Sequence, residues 1–326
     1  MNIAILGAGA WGSALAVSLS AAHRVRLWTR SGADAQALAA TRASRYLPGI
    51  SLPASVAIGS DLVNALTGAE LVIVATATSG LRETATLVKA VDSNPTLAWA
   101  CKGFETATAL LPHQVVAQVL PEARRVGALS GPSFALEVAR GQPTAIVFAS
   151  GDGAFAQSTA AALNTARLRI YSSDDLSGVE LGGALKNVVA IAAGISDGLS
   201  LGRNARAALV TRGLAEISRL GVALGGHAET FNGLTGLGDL VLTCTGDLSR
   251  NREVGVRLAR GLTLEAILAE LGHVAEGVHS ARAARDHARR LGVQMPITEA
   301  VCAVLFEGRA ATEAVQQLLT RDPRRE

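Results

Sequence analysis

Through the first half of the chain, short apolar runs alternate with longer stretches of helical period. Asn2–Leu6, Val25–Trp28, Leu71–Ala75, Leu97–Ala100, Val126–Ser130, Ala145–Ala149 and Leu168–Tyr171 read as buried strands. Helical spacing marks Ser13–Ala22, Gly80–Ala90, Thr106–Leu120, Ser133–Ala139 and Gly153–Leu163 between them. Alternation of this kind predicts a doubly wound parallel sheet. From about Leu176 the period is helical throughout: Val179–Gly194, Ala205–Gly221, Arg250–Arg260, Leu264–Leu271, Val278–Leu291, Thr298–Phe306 and Thr312–Leu319. Seven of the nine prolines lie in the first 143 residues, and none falls between Pro143 and Pro296. The expectation is an α/β domain over residues 1–175 followed by an all-helical C-terminal domain over 176–326, two domains being natural for 326 residues.

The first strand ends in Gly7-Ala8-Gly9-Ala10-Trp11-Gly12 and leads into a helix and a second strand. In that context G-x-G-x-x-G carries a mechanism. Gly7 permits the tight turn, Gly9 the approach of a pyrophosphate, and Gly12 close packing of helix on strand, so the sheet is Rossmann-like. The second strand ends in Trp28-Thr29-Arg30-Ser31 without the acid that an NAD-selective site uses on the ribose 2′-hydroxyl. Arg30 offers a cation for a 2′-phosphate instead, which favours NADPH, although a solvated surface arginine fits the same position.

Composition then singles out the lysines. Arginine occurs 27 times and lysine three times, at Lys89, Lys102 and Lys186. Lys186 stands in Leu181-Gly182-Gly183-Ala184-Leu185-Lys186-Asn187, a run otherwise small or aliphatic. Such a run reads as a helix buried nearly all round. Burying an unpaired ammonium is costly, so the lysine either snorkels to the surface or meets a partner in a cleft. Arginine does not deprotonate in proteins whereas lysine can exchange a proton, which makes Lys186 a candidate general acid and base. Lys102 follows a strand at the sheet edge where ligands bind. Ser130-Gly131-Pro132-Ser133-Phe134-Ala135 opens a helix at the next strand end and suits either a ligand or a simple capped turn. Asp239 lies in the glycine-rich Gly236-Leu237-Gly238-Asp239-Leu240. Ser249-Arg250-Asn251 would clamp a phosphate, though Ser249 fits a helix N-cap equally well.

A net charge of +3, scattered basic residues and 3% aromatics speak against nucleic acid as partner. Cys101, Cys244 and Cys302 are an odd set without a disulfide framework, which favours a reducing cytoplasm. No apolar run is both free of charge and about twenty residues long, so no integral membrane segment is expected. The six histidines show no metal-ligand spacing, and no metal is expected. The apolar helices after Ala205 fit either a homodimer face or the domain joint.

Together these motifs, with Lys102-Gly103 and Glu276-Gly277, resemble the bacterial-type NAD(P)-dependent glycerol-3-phosphate dehydrogenase family over essentially the whole chain. The resemblance implies that Lys186 exchanges a proton at the carbinol oxygen. It implies that Lys102, Gly131, Ser133, Lys186, Asp239, Ser249, Arg250 and Asn251 hold a triose phosphate substrate. Gly7, Gly9, Ala10, Trp11, Gly12, Arg30, Lys102, Ala135, Arg250, Val274 and Glu276 would contact NADPH/NADP or NADH/NAD. It implies reduction of dihydroxyacetone phosphate for phospholipid synthesis. The chain departs from the family's Val-Pro-Ser type of loop at Ala75-Thr76-Ala77-Thr78-Ser79, which puts the local cofactor contacts in question. Two other readings keep part of the pattern. A related hydroxyacid or sugar-acid dehydrogenase would not need the phosphate clamp, and a non-catalytic NADPH-sensing module would tolerate loss of Lys186.

Overall fold

The computed structural model describes residues 1–271 and 275–320. The chain divides into two compact units, Met1–Glu105 with Leu110–Glu180, and Thr106–Ala109 with the chain from Leu181 onward.

In the first unit, eight strands and seven helices alternate. They run β1 (Asn2–Leu6), α1 (Ala10–Leu19), β2 (Arg24–Trp28), α2 (Gly32–Thr41), β3 (Ala57–Gly59), α3 (Leu62–Leu66), β4 (Leu71–Val74) and α4 (Leu81–Lys89). They continue with β5 (Leu97–Trp99), α5 (Pro112–Val119), β6 (Val126–Ser130), α6 (Ala135–Ala139), β7 (Thr144–Ala149), α7 (Gly153–Leu163) and β8 (Leu168–Ser173). The strands form one sheet in the order β3-β2-β1-β4-β5-β6-β7-β8. Period-two alternation feeds two cores. Ile3, Ile5, Leu27 and Ile73 join one apolar cluster, while Ala4, Leu6, Trp28, Val72 and Val74 join another. A sheet covered on both faces needs strands that are apolar at nearly every position, which is why they read as continuous runs.

β1 through β6 pair in parallel in this order, so their C-terminal ends share one edge. That edge carries the Gly7–Gly12 turn, Arg30, the 75–79 loop, Lys102 and Gly131. The strand order reverses between β1 and β4, the switch point at which such sheets take ligands. The expectation of a wholly parallel sheet needs one correction: β7 runs antiparallel to β6. The link between them carries only the five-residue α6, which packs on α1 at the same edge. The chain therefore turns back from the edge it has just reached, because a parallel return requires a crossover along the full sheet.

The second unit is helical. α8 (Leu176–Gly198) enters it at Leu181, and α9 (Gly202–Ala223), α10 (Ala228–Phe231) and a π turn at Leu234–Gly238 follow. Then come α11 (Asp239–Thr245), α12 (Arg250–Ala259), α13 (Leu264–Leu271), α14 (Glu276–Leu291), α15 (Pro296–Phe306) and α16 (Ala311–Leu319). By length and composition α8 could cross a membrane, but its apolar stretch is buried inside the protein, as in a core helix. Its core partners include Val254, Leu258, Val278, Ile297 and Val301. Glycine inside a helix costs roughly 1 kcal/mol against alanine, so the glycines of α8 call for a packing reason. A Cβ on Gly194 would lie 1.9 Å from the Arg252 carbonyl oxygen, and one on Gly255 would lie 2.0 Å from that of Ile191. α8 and α12 therefore cross backbone on backbone. Gly182 likewise admits the π turn, since a Cβ there would come 2.5 Å from the Thr235 carbonyl oxygen.

All three cysteines are buried thiols outside any disulfide. Burial pushes the thiols of Cys244 and Cys302 up to about 12.

Candidate active site

The glycine turn after β1 shows three glycines with separate duties. Gly7 has φ +117°, and its N–H donates to the Trp28 carbonyl at 2.9 Å. A Cβ on Gly12 would lie 1.9 Å from the Gly7 carbonyl oxygen, so α1 packs down on the turn only because that atom is missing. Around Gly9, by contrast, no protein atom lies within 4 Å of where a Cβ would be. The space beside that glycine is therefore open to an approaching ligand. Gly9 is also the N-cap of α1, without a side-chain cap and without an acid in the first turn. The exposed N–H groups and dipole of that helix end suit a pyrophosphate, and the residues fit a dinucleotide. Ala10, Trp11 and Ala135 come together in one apolar cluster with Ala14 and Val138, beside the turn.

Two strands away, Lys102 Nζ donates to the Gly131 carbonyl at 2.8 Å, and Ser133 Oγ donates to the same oxygen at 3.0 Å. Gly131 can present that carbonyl because its φ is +134°. The three residues singled out after β5 and β6 thus form one polar cluster.

Arg30 is largely exposed, and its guanidinium donates to both oxygens of Glu83 at 2.8 and 3.0 Å. Nothing in the sequence pattern marks Glu83, an acid on a surface helix. The 75–79 loop continues as a short 3₁₀ turn at Thr78–Gly80 directly into α4.

In the second unit Lys186 is 7% exposed, and its ammonium donates to Asp239 Oδ1 and, at 2.8 Å, to Thr243 Oγ1. Asp239 opens α11, and Thr243 lies one turn further along the same face. Thr243 also donates back to the Asp239 carbonyl at 2.6 Å. The ammonium is therefore neither unpaired nor snorkelling: a carboxylate balances its charge and a hydroxyl fixes its direction. Thr243 escapes sequence reading, although an i, i+4 hydroxyl after Asp239 was the available signal.

Beside it runs a ladder of amides. Asn251 Nδ2 donates to Asn187 Oδ1 at 2.9 Å, and Gly277 N–H donates to Asn251 Oδ1 at 3.0 Å. Ser249 caps α12 by accepting from Arg252 N–H at 3.3 Å, the N-cap reading of that residue. Of the expected clamp, then, Ser249 and Asn251 hold the helix start while Arg250 is exposed. Glu276 begins α14. Val274 and His273 lie outside the described residues.

A second buried network was not foreseen. Glu180, 5% exposed, accepts from Trp99 Nε1 at 2.7 Å and from His113 N–H at 2.9 Å, and pairs with His113 Nδ1. Desolvation pushes its carboxyl above the ordinary range, against the pull of those bonds. Among the described residues no group of three or more His, Cys, Asp or Glu is placed to hold a metal ion.

A strand–glycine turn–helix at the switch point of a Rossmann-type sheet, joined to a helical unit with a buried, carboxylate-paired lysine, defines a two-part nicotinamide-dependent dehydrogenase. The comparisons with known proteins carry this further. Residues 2–156 match the NAD-dependent glycerol-3-phosphate dehydrogenase N-terminus, and residues 175–316 match the C-terminus of the same family. A protein of Thiobacillus denitrificans named glycerol-3-phosphate dehydrogenase (NAD(P)+) is 56% identical, over all of both chains. One of the same name from Dechloromonas aromatica is 57% identical, over 100% of this chain and 99% of its own length. The crystal structure of glycerol-3-phosphate dehydrogenase from Coxiella burnetii superposes with a TM-score of 0.92 at 41% identity, covering 98% of each chain. The chain belongs to the NAD-dependent glycerol-3-phosphate dehydrogenase family.

Proposed function

We propose that the protein interconverts sn-glycerol 3-phosphate and dihydroxyacetone phosphate with NAD(P)(H), running toward glycerol 3-phosphate for phospholipid synthesis in the cytoplasm. The observation that carries the mechanism is Lys186, buried and held on Asp239 and Thr243. When bound, the dinucleotide supplies or accepts the hydride. Gly7, Gly9 and Gly12 with the first N–H groups of α1 receive its pyrophosphate, and Ala10, Trp11 and Ala135 line it. Arg30 takes a 2′-phosphate, which favours NADPH. Lys186 donates a proton to the substrate oxygen as negative charge grows there, and recovers it in the reverse direction. General acid catalysis of this kind contributes on the order of 10²–10⁴-fold. Asp239 and Thr243 keep the ammonium aimed without rearrangement during the step. Lys102, with Gly131 and Ser133, offers the substrate a cation at the sheet edge. Arg250 binds the substrate phosphate from a helix start held by Ser249 and Asn251, so binding energy far from the reacting carbon serves the chemistry. A hydroxyacid dehydrogenase and a non-catalytic sensor are not favoured by the family match.

The test follows NADPH absorbance with purified protein. Rapid decay with dihydroxyacetone phosphate and none with dihydroxyacetone is the expected outcome. Absence of turnover with the phosphate ester, in protein that binds NADPH, overturns the proposal.

We also infer a homodimer. A groove of about 1280 Å³ in the second unit, lined by Leu209, Val222, Val301, Val304, Val315 and Leu318 among others, offers a second copy of the chain an apolar face. Sedimentation velocity at micromolar concentration reads this directly, and a monomer there refutes it.

A further inference from the structure

The end of β2 lacks the acid that an NAD-selective site carries, yet an acid reaches the same place from elsewhere. β1 lies between β2 and β4 in the sheet. Arg30 follows β2 and Glu83 sits in the first turn of α4, after β4. Their ion pair therefore spans the end of β1, from which the Gly7–Gly12 turn emerges. Asp34, the acid closest in sequence to Arg30, faces Arg45 instead at 3.7 Å. Arg82, next to Glu83, is engaged by Glu105 at 2.7 Å and Gln118 at 2.8 Å. Glu83 is thus the carboxylate that meets Arg30, with 73% and 59% of the two side chains exposed.

We propose that Glu83 is a cofactor-specificity residue, a carboxylate supplied by α4 that competes with the 2′-phosphate of NADPH for Arg30 and so moderates the preference for NADPH over NADH. This rests on the dinucleotide reading of the glycine turn. Exposed ion pairs are weak and exchangeable, so a phosphate dianion displaces Glu83 from Arg30. The displaced carboxylate then stands beside the phosphate as a like charge, and NADPH binds less tightly than Arg30 alone would allow. With NADH no displacement is needed: Arg30 stays paired, and the 2′-hydroxyl has an acceptor within the same cluster. One pair therefore serves both cofactors, at the expense of strong discrimination.

The experiment measures Kd for NADPH and NADH by nucleotide fluorescence in the full-length protein and in Glu83→Gln. The substitution is at an exposed position and keeps shape and helix propensity, and an unchanged Tm verifies folding. NADPH binding is expected to tighten about three- to fivefold at low ionic strength while NADH binding holds or weakens, a shift on the scale of one exposed charge pair. The shift in ratio should shrink at 0.5 M salt, where exposed charges are screened. A second pair of probes, adenosine 2′,5′-bisphosphate against 5′-AMP, isolates the adenosine end and should show the same shift. A ratio that does not change in Glu83→Gln, or that changes equally at all salt concentrations, overturns the assignment of Glu83. Failure of the wild-type protein to bind either dinucleotide overturns the cofactor reading beneath it, a distinguishable result.

Discussion

The two units each hold one ion pair in their candidate site, and the pairs differ in almost everything except chemistry. Arg30–Glu83 lies in solvent at the edge of a sheet, whereas Lys186–Asp239 is buried among small residues and closed by a hydroxyl. Water and salt compete with the first, so it can trade partners, and that suits a group that must accept or decline a ligand phosphate. The second has no solvent to fall back on. Its partners hold it in one geometry, which suits a group that must deliver a proton to one atom. Exposure decides which pair can discriminate between ligands and which can catalyse.

The sharpest way to break the contrast is Lys186→Ala. It should lower kcat on the order of 10²–10⁴-fold while NADPH titrations stay near wild type, since the glycine turn that receives the pyrophosphate is untouched. Near-normal turnover would remove Lys186 from the chemistry. Next comes Asp239→Asn, which leaves a buried ammonium without its counter-charge. Breaking one side of a buried pair costs roughly 3–5 kcal/mol, read by denaturant unfolding, whereas Thr243→Ala should cost only about 1 kcal/mol.

Glu216 sharpens the comparison from the opposite side, as a buried carboxylate bonded only by neutral donors. It accepts from Ile297 N–H at 2.6 Å, and from Thr298 N–H and Thr298 Oγ1 at 3.1 Å each. Desolvation raises its pKa from 4.5 to about 7. Between those values the folded chain keeps a proton that the unfolded chain has released. The stabilisation is therefore complete below pH 4.5 and is lost as pH rises through 7, on the order of 3 kcal/mol. Tm measured from pH 4.5 to 8 should fall more steeply in the wild type than in Glu216→Gln, and parallel curves would discount this origin. The smallest effect belongs to the exposed pair: Glu83→Ala should change stability by less than about 1 kcal/mol, and by nothing measurable in 1 M salt.

Much of the first unit was legible because its elements carry their own signals. Val126–Ser130 and Gly153–Leu163 have the limits that their patterns predict, as does Leu264–Leu271 in the second unit. Strand direction has no such signal, so the antiparallel β7 could not be read from periodicity. β3 is only three residues long, too short to show a pattern. The expected helix at Thr106–Leu120 shortens to Pro112–Val119, since proline is favoured at the first helical position and disfavoured further in. Residues 228–245 hide two helices and a π turn behind glycines that promise only loops. At the site, Lys186 sits in a run whose apolar residues made a buried helix legible, with the lysine itself either snorkelling or paired. Its pairing with Asp239 was not legible, because 53 residues separate them and the meeting depends on glycines that let backbones touch. Asn251 was read as a ligand for phosphate; its amide also bonds Asn187 and Gly277, a partnership visible only once α8, α12 and α14 are assembled.

The buried thiols have a practical consequence. A thiol reacts with alkylating reagents through its thiolate, and at pH 8 a group with a pKa near 12 offers about one part in ten thousand in that form. Labelling of Cys244 or Cys302 must wait for the chain to open, so its rate is a stopwatch for the second unit, while Cys101 times the first. A pulse of iodoacetamide followed by peptide mass analysis would thus follow the opening of each half of the molecule in a single sample, without a dye or an engineered probe.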